Sequence, residues 1–398
     1  MNKLMRSLFL LLFVPLLGGC WDRIEMNDLS IFMASALDIT EAGDLKVSIQ
    51  VPIPAGASGE GGKVSSGGTL GKTYFVVSAT GTNLYDCERK IQQKMSRHFF
   101  KGHRRIVFIG EALAKKGIQD ILDYFSRDPG SRLRTYLVVA KGKEASEVIQ
   151  NDHPTERIPA EEVRELERSG FGTAVTFRDF LMTQARDGIV PVIGAVELVT
   201  PTDDLKNGEA SKFKFFRISS TAVFKNYKLT GYMNDIETRS LRWIKGELKQ
   251  EYLGNKLPGI NGNVGVELDK MGSKIKTRMN GDKAQVRIEL NGAGVINEFN
   301  AKMDLSQRES IAIIEKELGD LIAEETLQTV RKAQTEWKAD IFGIGLQLHQ
   351  FHFQTWKKVR SEWETIFSNA DITVTAKISL QRAGIITNSF ENKRVGTK

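Results

Sequence analysis

The 398-residue chain is 41% hydrophobic and 26% charged, a composition typical of folded globular proteins that excludes a disordered or fibrous chain. This length is sufficient for two or three domains. The net charge of +7 is mild for such a chain, and no basic run is interleaved with aromatic residues, so the sequence gives no sign of nucleic-acid binding.

The N-terminus has the three parts of a bacterial secretory signal. Lys3 and Arg6 form a basic segment, residues 8–17 form an apolar core, and Leu17-Gly18-Gly19 provides a small-residue cleavage site. The apolar core is too short to span a bilayer as a helix, which needs roughly 20 residues. We therefore predict a signal peptide over residues 1–19. No later stretch approaches spanning length, so we predict no transmembrane helix in the mature chain.

Cys20 follows the cleavage site directly, which makes Leu17-Gly18-Gly19-Cys20 a lipobox. In this motif the cysteine thiolate accepts a diacylglyceryl group, and two acyl chains are enough for stable attachment to a membrane. We predict that Cys20 becomes the acylated first residue; the alternative is an ordinary secretory signal beside an unrelated cysteine. Without residues 1–19 the chain carries 54 Lys and Arg against 49 Asp and Glu, and this net charge of +5 favours an anionic membrane surface.

Cys87 is the other cysteine of the chain, and an acylated Cys20 cannot pair with it, so no disulfide is predicted. Leu84, Cys87, Ile91 and Met95 recur at spacings of three and four residues, which places them on one face of a helix. We interpret Cys87 as a small, buried apolar residue of that face, with a reactive thiol as the alternative.

Before residue 200, the apolar pattern predicts a mixed order of strands and helices. A β-hairpin around a turn at 40–43 comes first, and a Gly- and Ser-rich loop follows it. The other predicted strands of this region are 73–79, 104–110, 132–140 and 189–199. The predicted helices are the helix of Cys87, one or two short helices over 111–128, and helices over 143–149, 159–170 and 176–188.

A polar segment containing Pro and Gly, 200–212, is the best candidate for a domain boundary. Ser306 and Glu309 have capping-box spacing at the start of a long predicted helix that reaches Trp337. The other elements predicted after the boundary are two strands around a turn at 225–228, a helix over 235–248, strands over 263–268, 273–279 and 283–290, a helical stretch over 353–367 and a strand over 371–380.

The predicted organisation follows from these boundaries. It comprises a signal peptide (1–19), a lipid anchor and tether (20–28), an N-terminal α/β region (29–199) with a division into two subdomains left open, a linker (200–212), a C-terminal α/β domain (213–386) and a tail (387–398).

Two motifs resemble a phosphate-binding loop and a metal site but lack residues that such sites require. In SGGTLGKT, residues 66–73, Ser66 replaces the first glycine of a phosphate loop, and a strand follows where a helix is required. His349 and His352 are three residues apart, but no Cys, Asp or Glu lies close enough in sequence to complete a metal site. We therefore predict no cofactor and no metal, and the sequence gives no positive sign of an enzyme.

Three segments, in order along the chain, match one family. They are CWDRIEMNDLSIFMASALD at 20–38, the block 101–142, and the block 337–367 with the ITVTAKISLQRAG that follows it. Together they resemble the Ger(x)C family, the lipoprotein C subunits of bacterial spore nutrient germinant receptors. The matching positions are Cys20, Trp21, Asp22, Glu25, Asn27, Asp28, Arg104, Arg105, Gly110, Glu111, Asp340, Gly343 and Gly345.

The resemblance implies an α+β fold, with an elongated body of successive domains built from mixed β-sheets flanked by helices. It also implies a receptor component without catalytic activity, tethered by lipid to the outer face of the spore inner membrane. Its partners there are the polytopic A subunit and a transporter-like B subunit, which is the favoured nutrient-binding subunit. A small-molecule nutrient bound by this chain itself is not favoured.

Several points stay open at this stage. Trp21 fits the lipid headgroup level or an ordinary linker equally well. Arg104 and Arg105 are expected to pair with carboxylates, within the chain or on a partner. Gly110 is expected to end a strand with a special backbone angle. The alternative functions are a solute-binding lipoprotein that captures the germinant, and a hydrolase acting on cell wall or lipid.

Overall fold

The computed structural model describes residues 24–53, 73–153, 155–200 and 214–382. Over these residues it is a mixed α+β structure with two main β-sheets and one short pair of strands. Within the same ranges, no helix is long and apolar enough to cross a membrane. The predicted signal peptide, Cys20, Trp21, Asp22, most of the 66–73 motif, nearly all of the 200–212 segment and the tail after 386 lie outside the described residues.

The first half of the chain has a mixed order of strands and helices, as the apolar pattern predicts. Its strands are β1 (Leu29–Ile31), β2 (Ala34–Ile39), β3 (Leu45–Pro52), β4 (Tyr74–Gly81), β5 (His98–Phe100), β6 (Ile106–Gly110), β7 (Tyr136–Ala140) and β8 (Val192–Val199). Its helices are α1 (Leu84–Gln92), α2 (Glu111–Lys116), α3 (Gln119–Arg127), α4 (Ala145–Ile149), α5 (Pro159–Ser169) and α6 (Phe177–Gln184).

The second half contains one more hairpin and the second sheet. Its strands are β9 (Phe215–Lys225), β10 (Lys228–Met233), β11 (Glu251–Lys256), β12 (Asn263–Asn280), β13 (Lys283–Phe299) and β14 (Asp371–Arg382). Its α-helices are α7 (Asp235–Ile244), α8 (Arg308–Lys332), α9 (Ile344–Phe351), α10 (Phe353–Val359) and α11 (Trp363–Ser368).

The first sheet has eight strands in the order β10-β9-β8-β7-β6-β2-β3-β4, and β1 pairs separately with β5. The central strands β2, β6, β7 and β8 run parallel, which requires both faces of the sheet to be covered. In β6, Val107 and Ile109 pack in the core on one face, whereas Ile106 and Phe108 pack in the core on the other. All four are fully buried, which explains why this strand reads as a continuous apolar run.

The second sheet has the order β11-β12-β13-β14, with the first three strands antiparallel and the last pair parallel. In β13 the alternating residues Val286, Ile288 and Leu290 face the core, as predicted. The long helix α8 packs on β14, where Gly319 permits a close approach. A Cβ at Gly319 would lie 2.7 Å from the carbonyl oxygen of Ala376.

Some predicted boundaries differ from the structure. The separate strands predicted over 263–268 and 273–279 are one strand, β12, which passes the intervening residues with a register shift between Leu268 and Lys270. The capping box predicted at Ser306 is wrong. The Ser306 hydroxyl donates instead to the Asp304 carboxylate at 2.7 Å, and Gln307 is the N-cap of α8.

The domain boundary at 200–212 stays a prediction. The strands β9 and β10 follow it in sequence, and both belong to the first sheet through the pairing of β8 with β9. The first sheet is therefore built from residues on both sides of that segment. Asn226 and Tyr227 turn the β9–β10 hairpin with positive φ angles of 50° and 63°, a conformation that suits a tight hairpin turn.

Candidate functional site

A buried aspartate organises the turn before α9. Asp340 is 5% exposed, and its Oδ1 accepts hydrogen bonds from the backbone N–H groups of residues 342–344 at 3.2, 2.9 and 3.1 Å. Its Oδ2 accepts from the N–H of Gly345 at 2.7 Å and from the indole Nε1–H of Trp363 at 3.1 Å. One carboxylate thus satisfies the N–H groups that the start of a helix leaves without partners.

Two opposing effects act on the ionisation of this group. Burial raises the pKa of Asp340 to about 6, although the hydrogen bonds from Gly345, Ile344, Trp363 and Gly343 each lower it. At pH 7 the carboxylate is therefore mainly ionised. Hydrogen bonds to a charged acceptor are stronger than those between neutral groups, so the turn is well fixed.

The two predicted glycines of this turn are needed for different reasons. Gly343 has a left-handed backbone with φ +80°, which disfavours other residues. Gly345 is required by space, because a Cβ there would lie 2.4 Å from Nε1 of Trp363 and 2.8 Å from the Cα of Gly188.

This turn joins the two halves of the chain. The N–H of Val190 donates to the carbonyl of Asp340 at 2.8 Å, and the N–H of Leu346 donates to the carbonyl of Gly188 at 2.9 Å. Gly188 itself has φ +76°, and a Cβ there would lie 2.5 Å from the carbonyl carbon of Gly345. We call residues 188–190 and 340–346 the joint. It links the segment that leads into β8 of the first sheet to the C-terminal helices.

The second group of predicted residues lies at the end of β6. Gly110 has φ −62° and ψ 145°, which is ordinary extended backbone, so the predicted special backbone angle is wrong. The glycine is needed for space instead, because a Cβ there would lie 2.1 Å from Oδ1 of Asp38. The Asp38 carboxylate accepts hydrogen bonds from the N–H groups of Ala145 and Ser146 at 2.7 and 2.9 Å and thereby caps α4.

Glu111 ties three elements together beside Gly110. It forms an ion pair with Lys115, and its Oε2 accepts from the N–H of Gly142 at 2.6 Å and from the hydroxyl of Tyr232 at 3.0 Å. Burial by itself raises the pKa of Glu111, but the hydrogen bonds from Lys115, Gly142 and Tyr232 outweigh it and hold the pKa below its ordinary value. The carboxylate therefore connects α2, the loop after β7 and β10.

The carboxylate partner predicted for Arg104 is wrong, because the guanidinium pairs inside the chain with hydroxyl groups. Arg104 is 4% exposed, its guanidinium lies 4.3 Å from the ring centre of Phe125, and its Nη2 donates to the Ser131 hydroxyl at 2.7 Å. Burial lowers the pKa of Arg104 to about 10. Arg105 is half-buried, with Nε 3.8 Å from the carboxylate of Glu161. Both side chains thus have partners within the chain.

The remaining predicted residues near the N-terminus lie on the surface. Glu25, Asn27 and Asp28 are exposed, in and just before a short 3₁₀ turn over Met26–Asp28. Cys20, Trp21 and Asp22 lie outside the described residues, so their roles stay predictions.

Three residues were considered for other chemistry, Cys87, His349 and His352, and the last of these is exposed at the end of α9. Cys87 is fully buried in α1, as predicted, and burial raises the pKa of its thiol to about 11. His349 stacks on the rings of Phe353 and Trp356 at centroid distances of 5.8 and 5.6 Å. Among the described residues, no group of three or more His, Cys, Asp and Glu side chains could hold a metal ion.

Sequence reasoning missed the partners that make these positions important. Asp38 is a single acidic residue in an otherwise apolar strand, a pattern that can indicate a buried cap. Gly188 follows an aspartate directly before a buried strand, a typical turn signal. Trp363 carries no comparable local signal, because its surroundings form only in the folded chain.

Two family models together match nearly all of the described chain. The model described as the spore germination protein N-terminal domain matches residues 22–198, and the one described as spore germination B3/GerAC like, C-terminal, matches residues 219–384. The chain belongs to this spore germination family. The resemblance to the Ger(x)C family is thereby confirmed, and the family has a role in spore germination.

Proteins described as spore germination proteins match this chain over almost their whole length. The chain is 28% identical to YfkR of Bacillus subtilis (strain 168), covering 96% of this chain and 97% of that protein. It is 25% identical to spore germination protein KC of the same organism, covering 98% of both. The crystal structure of the GerBC protein matches with a TM-score of 0.57 at 20% identity, covering 87% of this chain and 96% of that one. The mixed α+β fold is therefore confirmed.

Proposed function

We propose that the chain is the lipid-anchored C subunit of a spore nutrient germinant receptor. Acylated Cys20 holds it on the outer face of the spore inner membrane. There it holds or couples the polytopic A subunit and the transporter-like B subunit during nutrient-triggered germination. It acts as an interaction module, without catalysis and without a cofactor.

Family membership supports the role in germination, and the lipobox supports the anchor. The observation that carries the coupling role is the joint. Asp340 accepts five hydrogen bonds there, and the backbones of Gly188 and Gly345 are in direct contact. Because packed cores and buried hydrogen bonds transmit displacement with little deformation, a movement of one half of the chain is passed to the other half.

The test of the anchor is the Cys20→Ala variant in spores. We expect the variant to leave the membrane fraction and nutrient-triggered germination to be strongly impaired, because the diacylglyceryl group cannot be attached. Cys87→Ala is the matched control, since it removes the other cysteine, which is buried and unrelated to acylation. It is expected to stay in the membrane fraction.

Normal germination with Cys20→Ala would show that anchoring is not required. Loss of membrane association in both variants would mean that the loss does not come from acylation. The expected result is loss with Cys20→Ala alone, measured by immunoblotting of membrane fractions and by the fall in optical density of germinating spores.

One observation favours a second candidate function, capture of the germinant by this chain. An open groove of about 770 Å³ lies beside α1 and α3, and its lining includes Leu84, Tyr85, Tyr124 and Tyr227. That volume is within the range of small-molecule sites. A thermal-shift scan with amino acids, sugars, nucleosides and salts distinguishes the two functions, because a nutrient at about 100 times its Kd stabilises the chain by about 2.7 kcal/mol. A selective, saturable shift would favour the second candidate.

A further inference from the structure

The corner between α9 and α10 exposes two phenylalanines. Residues 350–354 are all exposed, and Phe351 and Phe353 retain 70% and 55% of their surface in contact with solvent. Phe353 stacks on His349, whose other neighbour is the buried Trp356, so the corner is a folded structure with defined ring positions. Exposed apolar side chains that lie together, unlike those scattered singly, mark surfaces that meet a protein or a membrane.

The chain segment of this corner, residues 341–361, carries charge of one sign, although the exposed Glu362 follows it directly and Asp187 lines a cleft with His349. Residues 341–361 contain no Asp or Glu, whereas Lys357, Lys358 and Arg360 are all exposed. None of the three forms an ion pair with another described residue, so their charges are available. Exposed aromatic residues followed by cations on a helix are typical of segments that lie in the interface of an anionic bilayer.

The corner and the tether lie at the same edge of the first sheet. The strands β2, β6, β7 and β8 are parallel, so the chain enters all four from one edge. The tether leads through β1 into β2 there, and residues 188–190 lead into β8 there. The helix α9 lies beside that entry, because Leu346 is bonded to Gly188 and a cleft is shared by His349 and Arg186. Three strand spacings separate β2 from β8, about 14 Å.

The residues between these two points also include exposed apolar and basic side chains. The loop that enters β7 exposes Leu133, which is 42% exposed, between the exposed Arg132 and Arg134. At the tether, Ile24 and Met26 are 58% and 80% exposed. This edge also has exposed acidic residues at 25, 28 and 187, so the apolar and basic residues form two contact points and a connecting loop rather than a uniform patch.

We propose that this edge rests on an anionic lipid bilayer, with Phe351 and Phe353 inserted at the headgroup level and the cations that follow them on the lipid headgroups. The presence of a bilayer here rests on the proposed function. Three residues lie between Cys20 and Ile24, whose Cα atoms are therefore at most about 14 Å apart, so acylation keeps the edge close to the membrane. Two points of contact then fix the orientation of the chain, which one acylated residue on a short tether does not.

The test uses the full lipidated chain in vesicles. Cysteine is introduced by Phe351→Cys and labelled with an environment-sensitive fluorophore, since Cys20 is acylated and Cys87 is buried. The control is Tyr85→Cys, which is 72% exposed in the wild type and lies at the opposite edge of the same sheet, where β4 ends. The vesicles contain phosphatidylglycerol and lipids with brominated acyl chains, which quench only a fluorophore that enters the bilayer.

We expect at least threefold stronger quenching at 351 than at 85, and a marked loss of this difference when phosphatidylglycerol is replaced by phosphatidylcholine. Equal, weak quenching at both positions in chains that float with the vesicles would overturn the proposal. Quenching that appears only with other receptor subunits present would also overturn it, because the chain would then not reach the bilayer by its own residues. Strong quenching at 351 in a chain whose Cys20 is found unmodified by mass spectrometry would overturn the proposed lipid anchor but not the contact with the bilayer.

Discussion

Glu167 is expected to make the stability of the chain depend on pH. It lies on α5, is 2% exposed, and neither of its carboxylate oxygens has a hydrogen-bond partner among the described residues. Burial raises the pKa of Glu167 to about 8, although the charge of Arg242 lowers it. Its neutral form is therefore the one that fits the folded chain at neutral pH.

The direction and the size of the change in stability with pH follow from this pKa. The folded chain keeps the proton up to about pH 8, whereas the unfolded chain loses it near the ordinary pKa of 4.5. The contribution of protonated Glu167 to the free energy of unfolding is therefore complete below pH 4.5 and is lost as the pH rises towards 8. At 1.36 kcal/mol per pH unit, the loss between pH 5.5 and 8 is about 3 kcal/mol.

The perturbation is Glu167→Gln, which keeps the shape of the side chain and removes its titration. We measure the free energy of unfolding by urea, followed by tryptophan fluorescence, at pH 5.5 and at pH 8.5. The decrease between these two pH values is expected to be about 3 kcal/mol smaller in Glu167→Gln than in the wild type. Glu165→Gln on the same helix is the control, because its side chain is 49% exposed. Equal pH dependence in the wild type and Glu167→Gln would refute this reasoning.

Three further predictions concern packing. Gly345→Ala is expected to cost about 1–3 kcal/mol in unfolding free energy, because its Cβ has no space at the joint; an unchanged melting temperature would contradict this. Gly110→Ala is expected to cost a similar amount by displacing Asp38, whereas Gly254→Ala, whose Cβ would meet nothing within 4 Å, serves as the control for both and should be close to neutral. Cys87 is expected to resist iodoacetamide at pH 8 until the chain is unfolded by urea, and rapid labelling of the folded chain would argue against its burial.

The central strands of the first sheet could be predicted because burial on both faces leaves a continuous apolar run, as in β6. The short strands β5 and β11 were not predicted, since neither has such a run. The division of β12 into two strands was wrong because the residues between them lack an apolar run, whereas pairing with β13 continues the strand through that point. Local pattern thus fails where a distant strand decides the conformation.

The candidate site depends even more on contacts between residues that are distant in sequence, which the local pattern does not predict. Asp340, Gly343 and Gly345 could be selected by resemblance, but their physical role depends on Trp363 and Gly188, which are distant in sequence. For Gly110 the sequence indicated that a glycine matters and the wrong reason was inferred, because only the fold brings Asp38 beside it.

The central claim is that this chain is a subunit of a membrane receptor complex. The most direct measurement is to crosslink isolated spore inner membranes that contain the tagged chain, purify it, and identify the crosslinked proteins by mass spectrometry. Two polytopic proteins, one of the A type and one of the B type, should be recovered with the chain. Recovery of the membrane-bound chain without either of them would contradict the proposed function.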